Sequence, residues 1–488
     1  MKKRRIISAI LCICMVAAAL GLSGCGNNGG GNRENVTVSW YLPVGTRNDD
    51  VAVYEKVNEY VKEKLGFNVA INCVNSGNYE QKMQVMNAGG DKYDICFTSN
   101  WLNNYYTAVQ NEILMPLDDL LKEEAPALYT LFDEKMWDGV RCDGKIYGVM
   151  NQQIFARGPA LIMPKKNLDN LGFTLDDFNK LEDLTPYLRA VKEKTGTRPV
   201  AFSDWQSLVQ FYGLEEILGS GMPGAIYYND KNLKVVNQFE TEEFKGFINT
   251  IRQWVKEGIN HEEIIWEWGS AVADKDKPVT SQAFTTPATY KPGYVESLSA
   301  SYETEMVYKR IANPLLTSYG VTATMQSINA NSENSVEAIK LLELVNTDAR
   351  LFNLLTHGIE GRNYEMIGEN RIKVSAENPY SPADWAIGNT FIGYELSSDP
   401  ENVYTITKEI NDTATMSPAY GFYPDMSEFA VQTSNCKAVI GEYLQGLEQG
   451  VVDTEKLYPE FISKLKAAGV DEIIDELQRQ IDEWAKNR

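Results

Sequence analysis

Histidine is nearly missing from this chain of 488 residues: only His261 and His357 occur. In His261-Glu262-Glu263-Ile264-Ile265 an isoleucine stands where the second ligand of an H-E-x-x-H zinc helix belongs, so two imidazoles cannot share that face. His357 falls near an expected helix end and reads as a capping or surface group. Cysteine is sparse too. Cys12, Cys14 and Cys25 lie in the first segment, and the remaining Cys73, Cys96, Cys142 and Cys436 show none of the close pairs of a zinc or redox site. No structural disulfide, metal or cofactor is expected. Neither a phosphate-loop lysine motif nor a nucleophile elbow is present. Gly219-Ser220-Gly221-Met222-Pro223-Gly224 fits the dinucleotide glycine pattern literally, yet it contains proline and is expected to follow a helix rather than a strand, so it reads as a turn. Internal repeats are absent, which argues against a repetitive adhesin. Positive charge is also in deficit, with 46 Lys and Arg against 67 Asp and Glu and a net charge of −21. That balance disfavours nucleic acid and anionic membrane surfaces as partners, and it keeps a protein soluble. Such an excess of carboxylates makes any acid pair uninformative, because a glycoside hydrolase is recognised by the separation of two carboxyls in a cleft.

Long apolar runs are absent except at the start. Lys2, Lys3, Arg4 and Arg5 precede an apolar stretch from Ile6 to Leu22 that has no cationic stop-transfer flank, the pattern of a secretory signal peptide over residues 1–24. Leu22-Ser23-Gly24-Cys25 resembles the bacterial lipobox, which makes Cys25 the expected site of lipidation. Each buried methylene of an acyl chain contributes about 0.8 kcal/mol, so two chains anchor a protein without spanning the membrane. Residues 25–35, rich in Gly and Asn, have nothing to bury and read as a flexible tether.

From Val36 onward the periodicity alternates in kind. Val36, Val38 and Trp40 alternate as in a strand, and Tyr54, Val57, Val61 and Leu65 recur at helical spacing behind Asp49 and Asp50 and stop at Gly66. Phe67, Val69, Ile71 and Cys73 alternate again, a helix with Tyr79, Met83 and Met86 ends at Gly89-Gly90, and Tyr93, Ile95 and Phe97 form a third strand. In such β-α-β units ligands bind beyond the carboxyl ends of the strands. The first strand runs out towards Tyr41 and Arg47, the third towards Asn100 and Trp101, whose indole could stack on a sugar or pack under the next helix. Lys145 to Met150 reads as a strand leading through Gln152, Gln153 and Arg157 into Leu161-Ile162-Met163, a continuous extended run suited to a crossing between lobes. A strand is expected over Val321–Ile328, then a helix capped by Asn334, another capped by Thr347 and closed by Gly358, and a last helix whose Ile473, Ile474, Leu477, Ile481 and Trp484 form a packing face.

Several of these stretches carry a resemblance. The lipobox, Tyr93-Asp94-Ile95-Cys96-Phe97 followed by Trp101, Gly144-Lys145-Ile146-Tyr147-Gly148-Val149, Ser327-Ile328-Asn329-Ala330, Gly358-Ile359-Glu360-Gly361-Arg362-Asn363-Tyr364 and the ending Ala468-Gly469-Val470-Asp471 look like extracellular solute-binding lipoproteins of carbohydrate ABC importers. The resemblance implies an α/β chain with a two-lobed, type II periplasmic-binding-protein-like fold joined by hinge crossings. It places 36–153 plus 319–375 in the first lobe and 154–318 plus 376–488 in the second. By the same likeness Tyr41, Arg47, Asn100, Trp101, Gln152, Gln153 and Arg157 face a ligand, with Trp205, Tyr290, Trp385 and Tyr423 as further candidates. The implied protein is a monomer that binds an oligosaccharide and hands it to permease subunits. Gln152 and Gln153 are neutral where maltodextrin binders tend to carry carboxylates. A secreted glycoside hydrolase, or a binder of a non-sugar solute such as a peptide, remains the alternative.

Overall fold

Alternation of large apolar and polar residues drives the first strand, β1 (Thr37–Leu42), whose Val38, Trp40 and Leu42 are buried while Thr37 is exposed. The computed structural model describes residues 36–196, 198–199, 205–219, 221–264, 289–380 and 382–486. The expected leader, the tether and Cys25 lie outside the described residues. Helix α1 (Asp50–Leu65) follows β1 and stops where Gly66 turns left-handed at φ 81° and donates its N–H to the Lys62 carbonyl. Strand β2 (Asn68–Cys73), helix α2 (Ser76–Gly89) and strand β3 (Ile95–Thr98) complete the β-α-β-α-β start. Both β2 and β3 pair with β1 in parallel, Thr37 lying opposite Asn68 and Trp40 opposite Ile95.

Two short strands from far along the chain close this sheet. They are β4 (Val149–Met150) and β5 (Met325–Ile328), and β5 runs antiparallel between β3 and β4 to give the order β2-β1-β3-β5-β4. The first lobe is therefore discontinuous in sequence. Its core holds Trp40, Phe97, Trp137, Ile328 and Leu342, and Tyr380, Ala386, Ile387 and Tyr420 also pack into it. A second core gathers Leu161, Tyr187, Trp205, Phe247 and Trp254 with Phe461, Leu477 and Ile481 from the C-terminal helices Ala430–Glu448, Thr454–Ala467 and Val470–Lys486. Between the cores the chain crosses side by side: Arg157 and Leu315 exchange backbone hydrogen bonds of 3.0 and 2.7 Å, and Leu315–Leu316 pairs in parallel with Thr415–Met416.

Several local expectations need correction. The run from Lys145 is broken, because Lys145–Ile146 folds back on Arg141–Cys142 as a hairpin and only Val149–Met150 joins the main sheet. Gly148 sits at the break, where a Cβ would lie 2.9 Å from the Ser327 Oγ. Only Met325–Ile328 of the Val321–Ile328 stretch is strand, since Ser318–Val321 forms a helical turn capped by Thr317. The helix Ala349–His357 is capped by Asp348, whose carboxylate accepts from the Leu351 N–H at 2.9 Å, while the Thr347 hydroxyl bonds back to the Glu343 carbonyl. Asp49 and Asn334 precede their helices without capping them: Asp49 binds Arg362 and Asn363, and Asn334 donates to Asp94. His357 is buried, with its ring against Tyr394. The glycine-rich turn follows a strand, Leu214–Glu216, and returns antiparallel in Ala225–Tyr227.

Candidate functional site

The main sheet delivers Trp101 to the carboxyl end of β3, where it stays 50% exposed. Its Nε1 donates to the Ala323 carbonyl at 2.8 Å, which fixes the ring plane. The indole meets the edge of Phe97 at 6.3 Å and tilts against Trp385 at 6.1 Å. Trp385 is held from beneath by a buried polar chain. Asn151 donates to the Trp385 carbonyl at 2.9 Å, Gln326 donates to the Ala386 carbonyl at 2.8 Å, and the Trp40 indole donates to Gln326 at 2.8 Å. A satisfied network of this kind rigidifies what rests on it.

Other candidates converge on the segment from Tyr319 to Thr324. Asn100 donates to the Tyr319 carbonyl at 2.5 Å and to the Thr322 hydroxyl at 2.9 Å, and its buried Oδ1 finds no partner among the described residues. Gln153 donates to the Thr324 hydroxyl at 2.5 Å. The Arg157 guanidinium lies 5.3 Å from the centre of the Tyr319 ring and donates to Thr289 at 3.2 Å. Close approach of the crossing segments requires Gly320, since a Cβ there would collide with the Phe155 carbonyl.

A cavity of about 440 Å³ opens beside this segment, lined by Asn100 and Tyr106 from the first lobe, Glu215 from the second, Tyr319 from the crossing, and Tyr423 and Lys437 from the C-terminal region. Tyr423 stacks on Tyr106 with ring centres 3.2 Å apart, and burial raises both phenols well above their ordinary range. Burial also pushes the Glu215 carboxyl up to about 7, against the opposing effect of a hydrogen bond from Ser417. A second cavity, of about 220 Å³, is lined by Gln153 and Trp385 together with Lys291, Asp384 and Tyr404. Thus Asn100, Trp101, Gln153, Arg157, Trp385 and Tyr423 come together. Sequence reasoning missed Tyr319, Thr324, Tyr106 and Glu215, and the only local signal was the change of pattern at Gly320.

The other candidates lie elsewhere. Tyr41 packs edge-on against Tyr93 at 5.8 Å. Arg47 is engaged by Asp50 at 3.0 Å and by the Tyr54 hydroxyl at 3.1 Å, and it faces the Tyr380 ring. Gln152 uses its carbonyl to accept from Thr390. Trp205 is fully buried in the second core, stacked on Tyr212 at 5.3 Å. Tyr290 stacks on Tyr308 at 4.3 Å within a small satellite core. Cys73, Cys96, Cys142 and Cys436 are free thiols. Among the described residues no group of three or more His, Cys, Asp or Glu side chains is placed to hold a metal ion, and no helix is long and apolar enough to cross a membrane.

Residues 45–349, more than half of the chain, match the family model described as bacterial extracellular solute-binding protein. Residues 418–486 match a domain of unknown function, DUF3502. Over 485 residues the chain is 26% identical to a carbohydrate ABC transporter substrate-binding protein of Streptococcus pneumoniae serotype 4, with 97% of each chain covered. The crystal structure of the N-glycan transport solute binding protein NgtS from Streptococcus pneumoniae is 26% identical, with a TM-score of 0.79 over 92% of this chain and 99% of that one. The same protein in complex with Man5GlcNAc gives a TM-score of 0.72 over 93% and 99%. With two cores joined by adjacent crossings and this family match, the chain belongs to the bacterial extracellular solute-binding proteins and has their two-lobed type II α/β fold.

Proposed function

We propose that this protein captures an oligosaccharide between its lobes and presents it to the permease subunits of an ABC importer. The observation that carries the reading is the Trp101–Trp385 pair, with the Trp101 indole held by the Ala323 carbonyl, the Trp385 main chain held by Asn151, and Gln153 lining a cavity together with Trp385. Aromatic faces cover the apolar side of a sugar ring, and amide and guanidinium groups meet its hydroxyls. An unpaired polar group in a closed cleft costs about 1–3 kcal/mol, so hydroxyl pattern selects the ligand. The relative NgtS is seen with Man1GlcNAc and Man5GlcNAc, which supports glycans of that kind as first probes. The ligand leaves unaltered, because the protein performs no chemistry on it, and the protein works as a monomer. Calorimetry with Man5GlcNAc, followed by analysis of the recovered sugar, tests the reading. Saturable binding with intact sugar supports it; cleaved sugar, or silence across a panel of glycans, removes it.

Membership in an extracellular family gives an extracytoplasmic location. We further propose that the body is tethered through lipid on Cys25. Expression of Cys25→Ala in a bacterial host should abolish incorporation of labelled palmitate and shift the protein from the membrane fraction. Equal labelling of both forms would refute the anchor.

A further inference from the structure

Glu215 is about nine-tenths buried on the hairpin strand Leu214–Glu216 of the second lobe. A buried carboxyl is costly unless a cation or several donors compensate it. No ion pair to Glu215 occurs among the described residues, and the Ser417 hydroxyl is the one donor found, bonded to Oε2. Glu215 lines two cavities at once: the 440 Å³ space beside Tyr319 and a smaller recess that it shares with Arg157, Gln210 and Tyr319. Arg157 and Glu215 thus border one recess without pairing with each other. A donor fork and an acceptor bordering one recess suit a group that both accepts and donates, which a sugar hydroxyl does.

We propose that Glu215 is a specificity-determining residue of the cleft, its carboxyl accepting hydrogen bonds from hydroxyls of the bound oligosaccharide. The inference rests on the oligosaccharide reading above and adds to it a polar contact from the second lobe. The other charged side chains bordering its two cavities are Glu216 on the same strand, Arg157 on the crossing segment and Lys437 on the helix Ala430–Glu448. Glu216 is engaged by the Gly221 N–H and by Gln238. Because burial holds the carboxyl near 7, it passes from neutral to ionised within the working range of pH, and an ionised acceptor makes the stronger bond.

The test is calorimetric binding of Man5GlcNAc to wild type, Glu215→Gln and Ser417→Ala at about pH 5.5 and about pH 8.5. Glutamine keeps the shape and the bond to Ser417 but cannot ionise. Wild type is expected to bind more tightly at the higher pH, and Glu215→Gln to be weaker than wild type by about tenfold there and by less than about threefold at the lower pH. Ser417→Ala, which removes a donor to the carboxylate, is expected to move the midpoint of the wild-type pH dependence upwards. Wild-type binding that Glu215→Gln leaves unchanged at the higher pH, or a pH dependence that survives in Glu215→Gln, overturns the inference and leaves the oligosaccharide reading standing. A wild-type protein that binds no glycan overturns both.

Discussion

An indole half exposed at the end of a strand keeps apolar surface in water unless a ligand covers it, whereas an indole inside a core is already covered. Trp101 and Trp205 represent these two cases. Replacing Trp101 by alanine should weaken Man5GlcNAc binding by about tenfold or more while shifting the melting temperature only slightly, since its ring covers little of the core. Replacing Trp205 should cost about 3–5 kcal/mol of stability, as core Trp→Ala changes do. Calorimetry and thermal melts on both variants check the contrast, and an unaffected affinity in Trp101→Ala would remove the indole from the site. Residue type conveys chemistry, and its address comes from the fold: the strand before Trp101 points to its edge position, whereas nothing around Trp205 announces its burial. His357 illustrates the same limit. Its place at a helix end suggested the surface, but the packing of Tyr394 buries it and lowers its pKa to about 4 from an ordinary 6.5. The folded state therefore favours neutral imidazole. Its contribution is complete above about pH 6.5 and is lost as pH falls towards 4, up to about 3 kcal/mol in all. His357→Phe, which keeps an aromatic ring in that place, should flatten the fall of melting temperature across this interval. Parallel curves for the two proteins would contradict it.

At the scale of elements, strands and helices with a strong local period were readable, and pieces whose role depends on distant partners were not. β1, α1, β2 and α2 fall where alternation and the stops at Gly66 and Gly90 put them. The break after Ile146 and the late start of β5 are set by partners far along the chain, Ser327 and the crossing segment at Phe155, and no local pattern announces them. The segment after Ser417 is a similar case. Ala419 and Phe422 pack into the second core, Tyr420 enters the first, and Tyr423 stacks on Tyr106, so alternate residues stitch the lobes together. That stitch depends on Gly139, where a Cβ would collide with the Tyr420 ring and Val321. Gly139→Ala should therefore destabilise the protein by about 1–3 kcal/mol through overpacking. A denaturant titration reads this directly, and a midpoint equal to wild type would mean that Tyr420 is free to move aside.

For the whole molecule, the arrangement of contacts determines what binding can do mechanically. Trp385 packs with the first core and Trp101 meets it through Phe97, whereas Glu215 and Lys437 belong to elements of the second lobe or its C-terminal helices. A ligand touching both sets gains contacts only when the lobes are close, so its differential affinity shifts the population towards closure. Tyr106–Tyr423 stacking and the 3.1 Å hydrogen bond from Gln110 to Asp425 tie the lobes along one flank. Rotation about that flank and the paired crossings is therefore the expected mode of opening. Small-angle scattering at saturating Man5GlcNAc should show a smaller radius of gyration than the free protein. Glu215→Gln, lacking part of the second-lobe contact, should need more sugar to reach the same radius. Scattering that does not change while calorimetry reports saturation would mean that the glycan is held by one lobe alone, and the cleft would then act as a groove rather than a closing jaw.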